Sequence, residues 1–389
     1  MSKEERRALI RKIEAARGSR VITYITGDRA PATAQIGDDA IRPMYDQLRA
    51  LGKVKKLDLF LYSRGGAIDV PWRLVTAFRQ WAGEWNILIP YRANSAATLT
   101  ALGADEIVLG THGELGPIDP IMSIQRVVAQ PGGDQVVIQD QVNVEDVMAY
   151  LKFTQERGRL SDQPALTAGL SKLTDRIDAL TLGNVYRTHS HIRDVARRVL
   201  LSRKRPAKRR VLKSIIESLA EKVYAHGHAI GLSAAREIGL PAVGAPEKLD
   251  GLMWDLFLAY EKDLKLLSPL DPAVTVAQGD LYTEDAIIAI IEIAGMTHEF
   301  GGRIEIRAHR QMPSNLQVTM SLNLQLPPET NLQQVPENLQ QALQAAVQQL
   351  QENLGTQAHT AVLQALKQQA PIVKIEAVFR EAKWTASKG

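Results

Sequence analysis

The chain has 389 residues, enough to bury a substantial core and to form about two or three domains. It contains no cysteine, which excludes disulfides, a thiolate nucleophile and cysteine-ligated metal centres, and its net charge of only +4 argues against nucleic acid as a general partner. The charged first residues and the lack of an apolar run long enough to span a bilayer predict a protein of the reducing cytoplasm that is not embedded in a membrane.

The first third of the chain alternates predicted helices and strands. A helix carrying Leu9, Ile10 and Ile13 is expected to end near Gly18. After it we predict strands at 21–25, 57–62, 87–89 and 107–109, and helices at 38–51, 70–81 and 95–102. This alternation is typical of right-handed βαβ units around a parallel sheet, so the predicted fold class is α/β.

The remainder of the chain changes character. Residues 145–225 are predicted to be mainly helical, with Leu173, Ile177 and Leu180 on one face, and a short helix after Ala229 should end at Gly239. The apolar stretch from Ala286 to Gly295 is interpreted as helix-like. Period-two alternation predicts strands at 303–307, 317–324 and 372–379, around a glutamine-rich helix at 339–354. These patterns predict a domain at 1–250, a helical connecting segment at 251–300 and a small α+β domain at 301–389.

One local concentration of positive charge stands out. Arg203, Lys204 and Arg205 are followed closely by a second basic triplet at 208–210. Runs of this kind are usually solvated faces. The alternative is a docking patch for an acidic partner or nucleic acid, although no aromatic residues for base stacking lie among these cations.

Two segments at predicted strand ends carry the chemistry. A double glycine, Gly65-Gly66, follows the second strand and can aim amide groups into a cleft. Ser95 follows the third strand, among small residues at the start of a helix, where amide groups favour developing negative charge. From position alone, Ser95 can be either a helix N-cap or a nucleophile.

The ordered motifs across residues 57–120 resemble the serine dehydrogenase proteinase family, distant relatives of the Clp protease proteolytic subunit and signal peptide peptidase A. The matching pieces are Ser63-Arg-Gly-Gly66, Ser95-Ala-Ala-Thr-Leu-Thr-Ala-Leu-Gly-Ala-Asp-Glu-Ile107, Leu115-Gly-Pro-Ile-Asp-Pro120, Leu182-Gly-Asn-Val-Tyr-Arg187 and Tyr224-Ala-His-Gly-His-Ala-Ile230. The resemblance covers roughly residues 5–310. It implies a Clp/crotonase-like core of repeated βαβ units at 1–250 with a helical extension, and the activity of a serine endopeptidase.

The resemblance also implies roles for single residues. Ser95 matches the nucleophile, and Gly66 and Ala96 match the amide pair of an oxyanion hole. The family order of serine, aspartate and histidine makes His226 the general base and Asp119 its orienting carboxylate. His228 and Lys172 are the alternative bases, and a lysine base would need a pKa lowered by burial.

Other functions remain open from the sequence. A crotonase-like acyl-CoA enzyme shares the fold, and an inactive scaffold acting through residues 301–389 is a third reading. No phosphate-binding loop or dinucleotide motif is present, so no cofactor is expected. His226 and His228 have no carboxylate at ligand spacing beside them, so no metal is expected either. The expected partners are a peptide or protein substrate, further copies of the chain in a homo-oligomer, and a protein bound by the C-terminal domain.

Overall fold

The structure is a computed structural model that describes residues 3–129, 135–156, 158, 162–220, 229–277, 279–312 and 336–388, with the backbone alone at 125–129 and 135–138. The chain forms two compact units. The first comprises Met1–Pro269, Asp285–Arg303 and Arg380–Gly389, and the second comprises Leu270–Glu284 and Ile304–Phe379.

Most of the helices connect or flank strands. They are α1 (Lys3–Arg17), α2 (Ile41–Leu51), α3 (Val70–Trp81), α4 (Ala96–Leu102), α5 (Val144–Glu156), α6 (Gln163–Thr174), α7 (Ala179–Leu201), α8 (Arg209–Ala220), α9 (Leu232–Ile238), α10 (Glu247–Asp263), α11 (Pro272–Thr275) and α12 (Glu337–Gln369). The strands are β1 (Arg20–Thr26), β2 (Val54–Tyr62), β3 (Ala82–Ile89), β4 (Arg92–Ala93), β5 (Ile107–Leu109), β6 (Glu114–Leu115), β7 (Ile121–Ala129), β8 (Gln135–Asn143), β9 (Ala242–Gly244), β10 (Leu281–Ile293), β11 (Met296–Arg310) and β12 (Ile372–Lys388).

A large mixed sheet has the strand order β12-β11-β10-β1-β2-β3-β5-β9. In this sheet β1, β2, β3, β5 and β9 pair in parallel, and β10 pairs antiparallel with β1. Helices connect the parallel strands, as the right-handed βαβ rule requires. The predicted α/β fold class is therefore confirmed.

Both faces of the parallel strands are covered, because successive side chains on a strand point to opposite sides. Ile22 and Tyr24 on β1 belong to a core cluster that includes residues of α2, α3, α4 and α7. Val21 and Ile25 belong to a second cluster with residues of α1 and α10. The parallel sheet is thus a buried layer, and its strand ends are positioned by packing on both sides.

A buried ion pair joins α1 to β10 in the first unit. Arg6 is 2% exposed and Glu292 is fully buried, and Arg6 Nε donates to Glu292 Oε1 at 2.8 Å. Asp263 also accepts from Arg6. Burial alone would lower the pKa of Arg6, but the hydrogen bond and charge of Glu292 raise it above its ordinary value. The guanidinium therefore stays charged inside the protein.

The alternation of secondary structure in the first third follows the prediction closely. Helix α3 has the predicted bounds, and Gly239 ends α9 in a left-handed conformation. The helix-like interpretation of Ala286 to Gly295 is wrong, because this stretch lies in strand β10. Its isoleucine-rich run suits a strand that is buried at one end, and short apolar runs do not distinguish strand from helix by period. The expected helical segment at 251–300 is helical only in its first part.

Between β6 and α9 the chain forms a hairpin and then helices. The hairpin of β7 and β8, which the sequence did not predict, is followed by α5 to α8, so the predicted helical extension is confirmed. Among the described residues, no helix has the length and apolar character required to cross a membrane.

The second unit contains α11, α12 and parts of β10, β11 and β12. Within it, Arg310 Nε donates to Asp280 Oδ1 at 2.7 Å, and Arg310 Nη1 donates to the carbonyl of Ala370 at 2.8 Å. The predicted glutamine-rich helix is present as α12, whereas the strand predicted at 317–324 lies outside the described residues.

Candidate active site

Strand β2 ends in the double glycine, whose backbone conformation disfavours any side chain. The φ angle is +114° at Gly65 and +153° at Gly66. A Cβ atom at Gly66 would lie 2.2 Å from the carbonyl oxygen of Ile36. The amide of Gly65 donates to Ser63 Oγ at 3.1 Å, and the carbonyl of Gly65 accepts from the amide of Ile36 at 2.8 Å. These contacts hold the two glycines in a fixed position.

Ser95 lies at a strained turn between β4 and α4. Its φ of +49° and ψ of −113° are unusual for a residue with a side chain, and such strain tends to persist at functional sites. Ser95 occupies the N-cap position of α4, but its side chain makes no capping hydrogen bond. Its hydroxyl is therefore not used to cap the helix, which removes the main structural explanation for a serine at this position.

The double glycine and the serine turn are in direct contact. A Cβ atom at Gly65 would lie 2.8 Å from Ser95 Cβ and 3.3 Å from the amide nitrogen of Ala96. The two segments are also joined by the amide of Asn94, which donates to the carbonyl of Ser63 at 3.0 Å. Only glycine allows the backbone of β2 to approach the serine this closely.

Two amide groups at this contact have no acceptor among the described residues. No backbone hydrogen bond from the amide of Gly66 or Ala96 to a described residue is present. Ala96 is the first residue of α4, where amides have no acceptor within the helix. Gly66 is partly exposed, and Ala96 is buried. These are the two amides that the resemblance assigns to an oxyanion hole.

A third segment, residues 115–119, borders the same turn. The carbonyl of Pro117 accepts from the amide of Ser95 at 3.1 Å, and the carboxyl of Asp119 follows two residues later. Asp119 is 6% exposed, and its Oδ2 accepts from Asn143 Nδ2 at 2.8 Å. Asn143 ends β8, so the hairpin that the sequence did not predict supplies a hydrogen bond to the candidate carboxylate.

Thr98 joins two of these segments, and the sequence analysis did not identify it. Its buried Oγ1 lies 2.7 Å from the carbonyl oxygen of Ala93 and 2.8 Å from that of Gly116, and it accepts from the amide of Gly116 at 3.2 Å. The only available signal was a threonine one turn after Ser95 in a helix of small residues. Thr98 therefore positions the backbone on both sides of the serine.

Charged groups beside the double glycine are paired with one another. Arg64 Nε donates to Asp28 Oδ2 at 2.6 Å, and the Tyr62 hydroxyl donates to the same oxygen at 3.0 Å. Burial and the charge of Asp28 raise the pKa of Tyr62 above its ordinary value. Tyr62 therefore stays neutral and acts as a hydrogen-bond donor.

The candidate bases are not brought together with Ser95 by the described residues. His226 and His228 both lie outside the described residues. Lys172 lies on α6 with 81% of its side chain exposed, and its Nζ is 3.9 Å from Asp175 Oδ2. Its surroundings lack the burial that a lysine base requires.

Within the described ranges, no group of three or more histidine, aspartate and glutamate side chains is arranged to hold a metal ion. The described residues contribute four polar groups to this site, which are the hydroxyl of Ser95, the amides of Gly66 and Ala96, and the carboxylate of Asp119. Those four groups suit attack of a hydroxyl on an acyl carbon and stabilisation of the resulting oxyanion.

Residues 1–149 match the family model described as ClpP-like SDH-type serine proteinase. This match confirms the resemblance for the part of the chain that contains the double glycine, Ser95 and Asp119. Two uncharacterized proteins of Methanocaldococcus jannaschii are also similar. One is 29% identical over 139 residues, covering 33% of this chain and 49% of the relative. The other is 29% identical over 117 residues, covering 28% of this chain and 40% of the relative. The chain thus spans about half or less of the curated relatives that it matches.

Proposed function

We propose that this chain is a serine peptidase that cleaves peptide bonds through an acyl-enzyme on Ser95. The observation that carries the proposal is the strained turn at Ser95, whose hydroxyl does not cap α4 and which contacts Gly65. The match of residues 1–149 to a serine proteinase family supports the same reaction class. Peptide substrates follow from that family description.

In the proposed reaction, Ser95 Oγ attacks the carbonyl carbon of the substrate while the base takes the hydroxyl proton. The amides of Gly66 and Ala96 donate to the oxyanion of the tetrahedral intermediate. The protonated base then gives its proton to the leaving amine, which leaves the acyl group on Ser95. Water, deprotonated by the same base, attacks the ester and releases the carboxylic acid.

We assign the base to His226 and its orienting carboxylate to Asp119. Support comes from the described residues on either side of the histidine. The carbonyl of Leu219 accepts from the amide of Ile118 at 3.1 Å, and Ile230 exchanges two backbone hydrogen bonds with Leu115. His226 is four residues before Ile230 in the sequence, so the chain on both sides of it is hydrogen-bonded to the segment that leads to Asp119. A histidine–carboxylate pair beside Ser95 is compatible with these hydrogen bonds.

The competing assignments gain less support. A lysine base at Lys172 requires burial, whereas its side chain is 81% exposed. A crotonase-like acyl-CoA enzyme needs no serine at position 95, so it leaves the strained turn unexplained. An inactive scaffold leaves unexplained why Gly65 approaches Ser95 so closely.

The proposal is tested by intact-mass spectrometry after incubation with a fluorophosphonate. We expect one adduct on the wild-type chain, none on Ser95→Ala, and labelling slowed by roughly a thousandfold or more on His226→Ala. His228→Ala is the matched control, and Lys172→Ala controls for the rival base. Both should label within a few-fold of the wild-type rate.

Retention of the adduct in Ser95→Ala would contradict the assigned nucleophile. Loss of labelling in Lys172→Ala but not in His226→Ala would replace the proposed base with the lysine. A large thermal shift with acyl-CoA compounds, without any phosphonate adduct, would favour the acyl-CoA enzyme.

We further propose that the chain assembles into a homo-oligomer, as related Clp-type enzymes do according to the resemblance. Sedimentation velocity at micromolar concentration should give a species larger than 42.9 kDa. A monomer alone under these conditions would refute assembly without bearing on the labelling of Ser95.

A further inference from the structure

A groove in the first unit lies between α7 and α8 and has a volume of about 1,210 Å³. Its apolar lining includes Leu201, Leu212 and Ile216, with Ala207 from the connection between the helices. Leu201 is 46% exposed, whereas Leu212 and Ile216 are largely buried at the base of the groove. The groove therefore has an aliphatic lining in which Leu201 is the most exposed of the three side chains.

The rim of this groove is strongly basic. Five arginine and lysine residues line it against two acidic residues, Asp194 and Glu217. Arg197 is 3.3 Å from Asp194, and Lys213 is 3.6 Å from Glu217. Two further exposed cations of the rim, at positions 209 and 210, form no ion pair with a described residue.

The positive charge in this part of the chain is larger than the net charge of the whole chain. The stretch 193–213 contains ten lysine or arginine residues and one acid, a net charge of +9. The full chain carries only +4, so the remaining residues together carry −5. Five of these ten cations line the groove, so its rim belongs to a local concentration of positive charge, which favours a negatively charged occupant.

The lining and shape of the groove favour one class of negatively charged occupant over the others. Among the described lining residues there is no phenylalanine, tyrosine or tryptophan, and His189 is the one ring, so the groove lacks the row of large platforms on which successive nucleic acid bases stack. A concave floor does not suit a flat lipid surface. An α-helix with side chains is about 10 Å across, so this volume accommodates roughly three turns, or about ten residues. An aliphatic floor with a charged rim is the pattern of helix-in-groove recognition.

We infer that the groove between α7 and α8 binds an acidic amphipathic helix of a partner protein, with its apolar face on Leu201, Leu212 and Ile216. Its acidic residues meet the unpaired rim cations. The groove is connected to the site around Ser95, because the last turn of α8 contains Leu219, whose carbonyl accepts a hydrogen bond from the amide of Ile118 beside Asp119. A bound partner would thus lie against the helix that leads to this segment.

The test is fluorescence anisotropy with a labelled 15-residue peptide. The peptide has leucine at i, i+3, i+4 and i+7 spacing and glutamate elsewhere, and a scrambled isomer of the same composition is the control peptide. We expect saturable binding of the first peptide only, weakening as salt is raised. The double variant Arg209→Glu/Arg210→Glu should weaken binding by about tenfold or more.

The matched control is Arg11→Glu/Lys12→Glu, which reverses two exposed adjacent cations on α1. It should bind the peptide like the wild type. Leu201→Asp should also weaken binding, because it places a carboxylate on the apolar floor. All variants should keep the fluorophosphonate labelling of the wild type, so failure here is separable from failure of the proposed active site.

Three outcomes would overturn the inference. The first is absence of binding, or equal binding of both peptides. The second is tighter binding of a single-stranded oligonucleotide or of vesicles with anionic lipid, lost in the charge-reversed groove variant. The third is self-association of the chain that the same variant abolishes, which would make a second copy the occupant.

Discussion

The contact between Gly65 and Ser95 leads to a quantitative prediction for Gly65→Ala. The added Cβ would lie 2.8 Å from Ser95 Cβ and 2.9 Å from the carbonyl oxygen of Asn94. Ordinary carbon contacts are about 3.5–4.0 Å, so the serine turn must move by roughly 1 Å. A displacement of that size at a reacting group lowers rates by about a hundredfold. This corresponds to about 2.7 kcal/mol in the activation free energy.

The same substitution also lowers stability, because φ at Gly65 is +114°. A side chain in such a conformation costs about 1–3 kcal/mol. Gly52 separates the two effects. Its φ is +71°, and a Cβ there meets nothing within 4 Å. Gly52→Ala should therefore share the backbone cost while leaving the serine turn in place.

The assay is the rate of fluorophosphonate labelling, together with the free energy of unfolding in urea. We expect Gly65→Ala to label about a hundred times more slowly than Gly52→Ala at comparable stability. If a folded Gly65→Ala labelled within about threefold of the control, the close approach of β2 would not be what organises the site. The proposed oxyanion hole would then need another source of donors.

Three further predictions test the surroundings of the site. Glu292→Leu removes the buried partner of Arg6 and leaves it paired with Asp263 alone, so the free energy of unfolding should fall by about 3 kcal/mol, and Arg6→Met in the same chain should recover most of it. Burial lowers the pKa of His298 in the folded protein, so below pH 6.5 the unfolded chain binds more protons than the folded chain. The melting temperature measured by calorimetry should therefore fall as the pH drops below 6.5. His298→Gln should make the melting temperature depend less on pH. Thr98→Val removes the hydroxyl between two backbone segments, so it should lower the free energy of unfolding by about 1–3 kcal/mol and slow fluorophosphonate labelling. Thr98→Ser keeps a hydroxyl, so urea unfolding and labelling should both stay near wild type.

Much of the parallel-sheet core was predictable, because its elements have clear periods and clear ends. Helix α3 has an apolar face at helical spacing, and proline in its first turn fixes its start. The failure at β10 has a physical origin. An apolar run that is buried on both faces loses the alternation that identifies strands, so Ala286 to Gly295 was interpreted as helix-like.

The parts of the site that were predictable are those where the type of residue alone indicates its role. The double glycine and Ser95 are conspicuous in the sequence, and the structure places them in contact. The backbone strain at Ser95 was not predictable, since no local pattern specifies a φ of +49° for serine. The roles of Thr98 and Asn143 depend on contacts between segments far apart in the chain, which local patterns do not record.

Helix α4 determines how the site around Ser95 is lost when the protein unfolds. All seven residues from Ala96 to Leu102 are buried, and the helix packs against α3 and α7. Such a helix cannot unfold locally at low free-energy cost, because exposing it requires separation of the elements that cover it. Its hydrogen-bonded amides, from Leu99 onward, should therefore exchange with solvent only through global unfolding, whereas the free amide of Ala96 should not be protected in this way. Phosphonate reactivity then becomes a reporter of the folded fraction, and its decline with denaturant should coincide with exposure of the buried indole of Trp85.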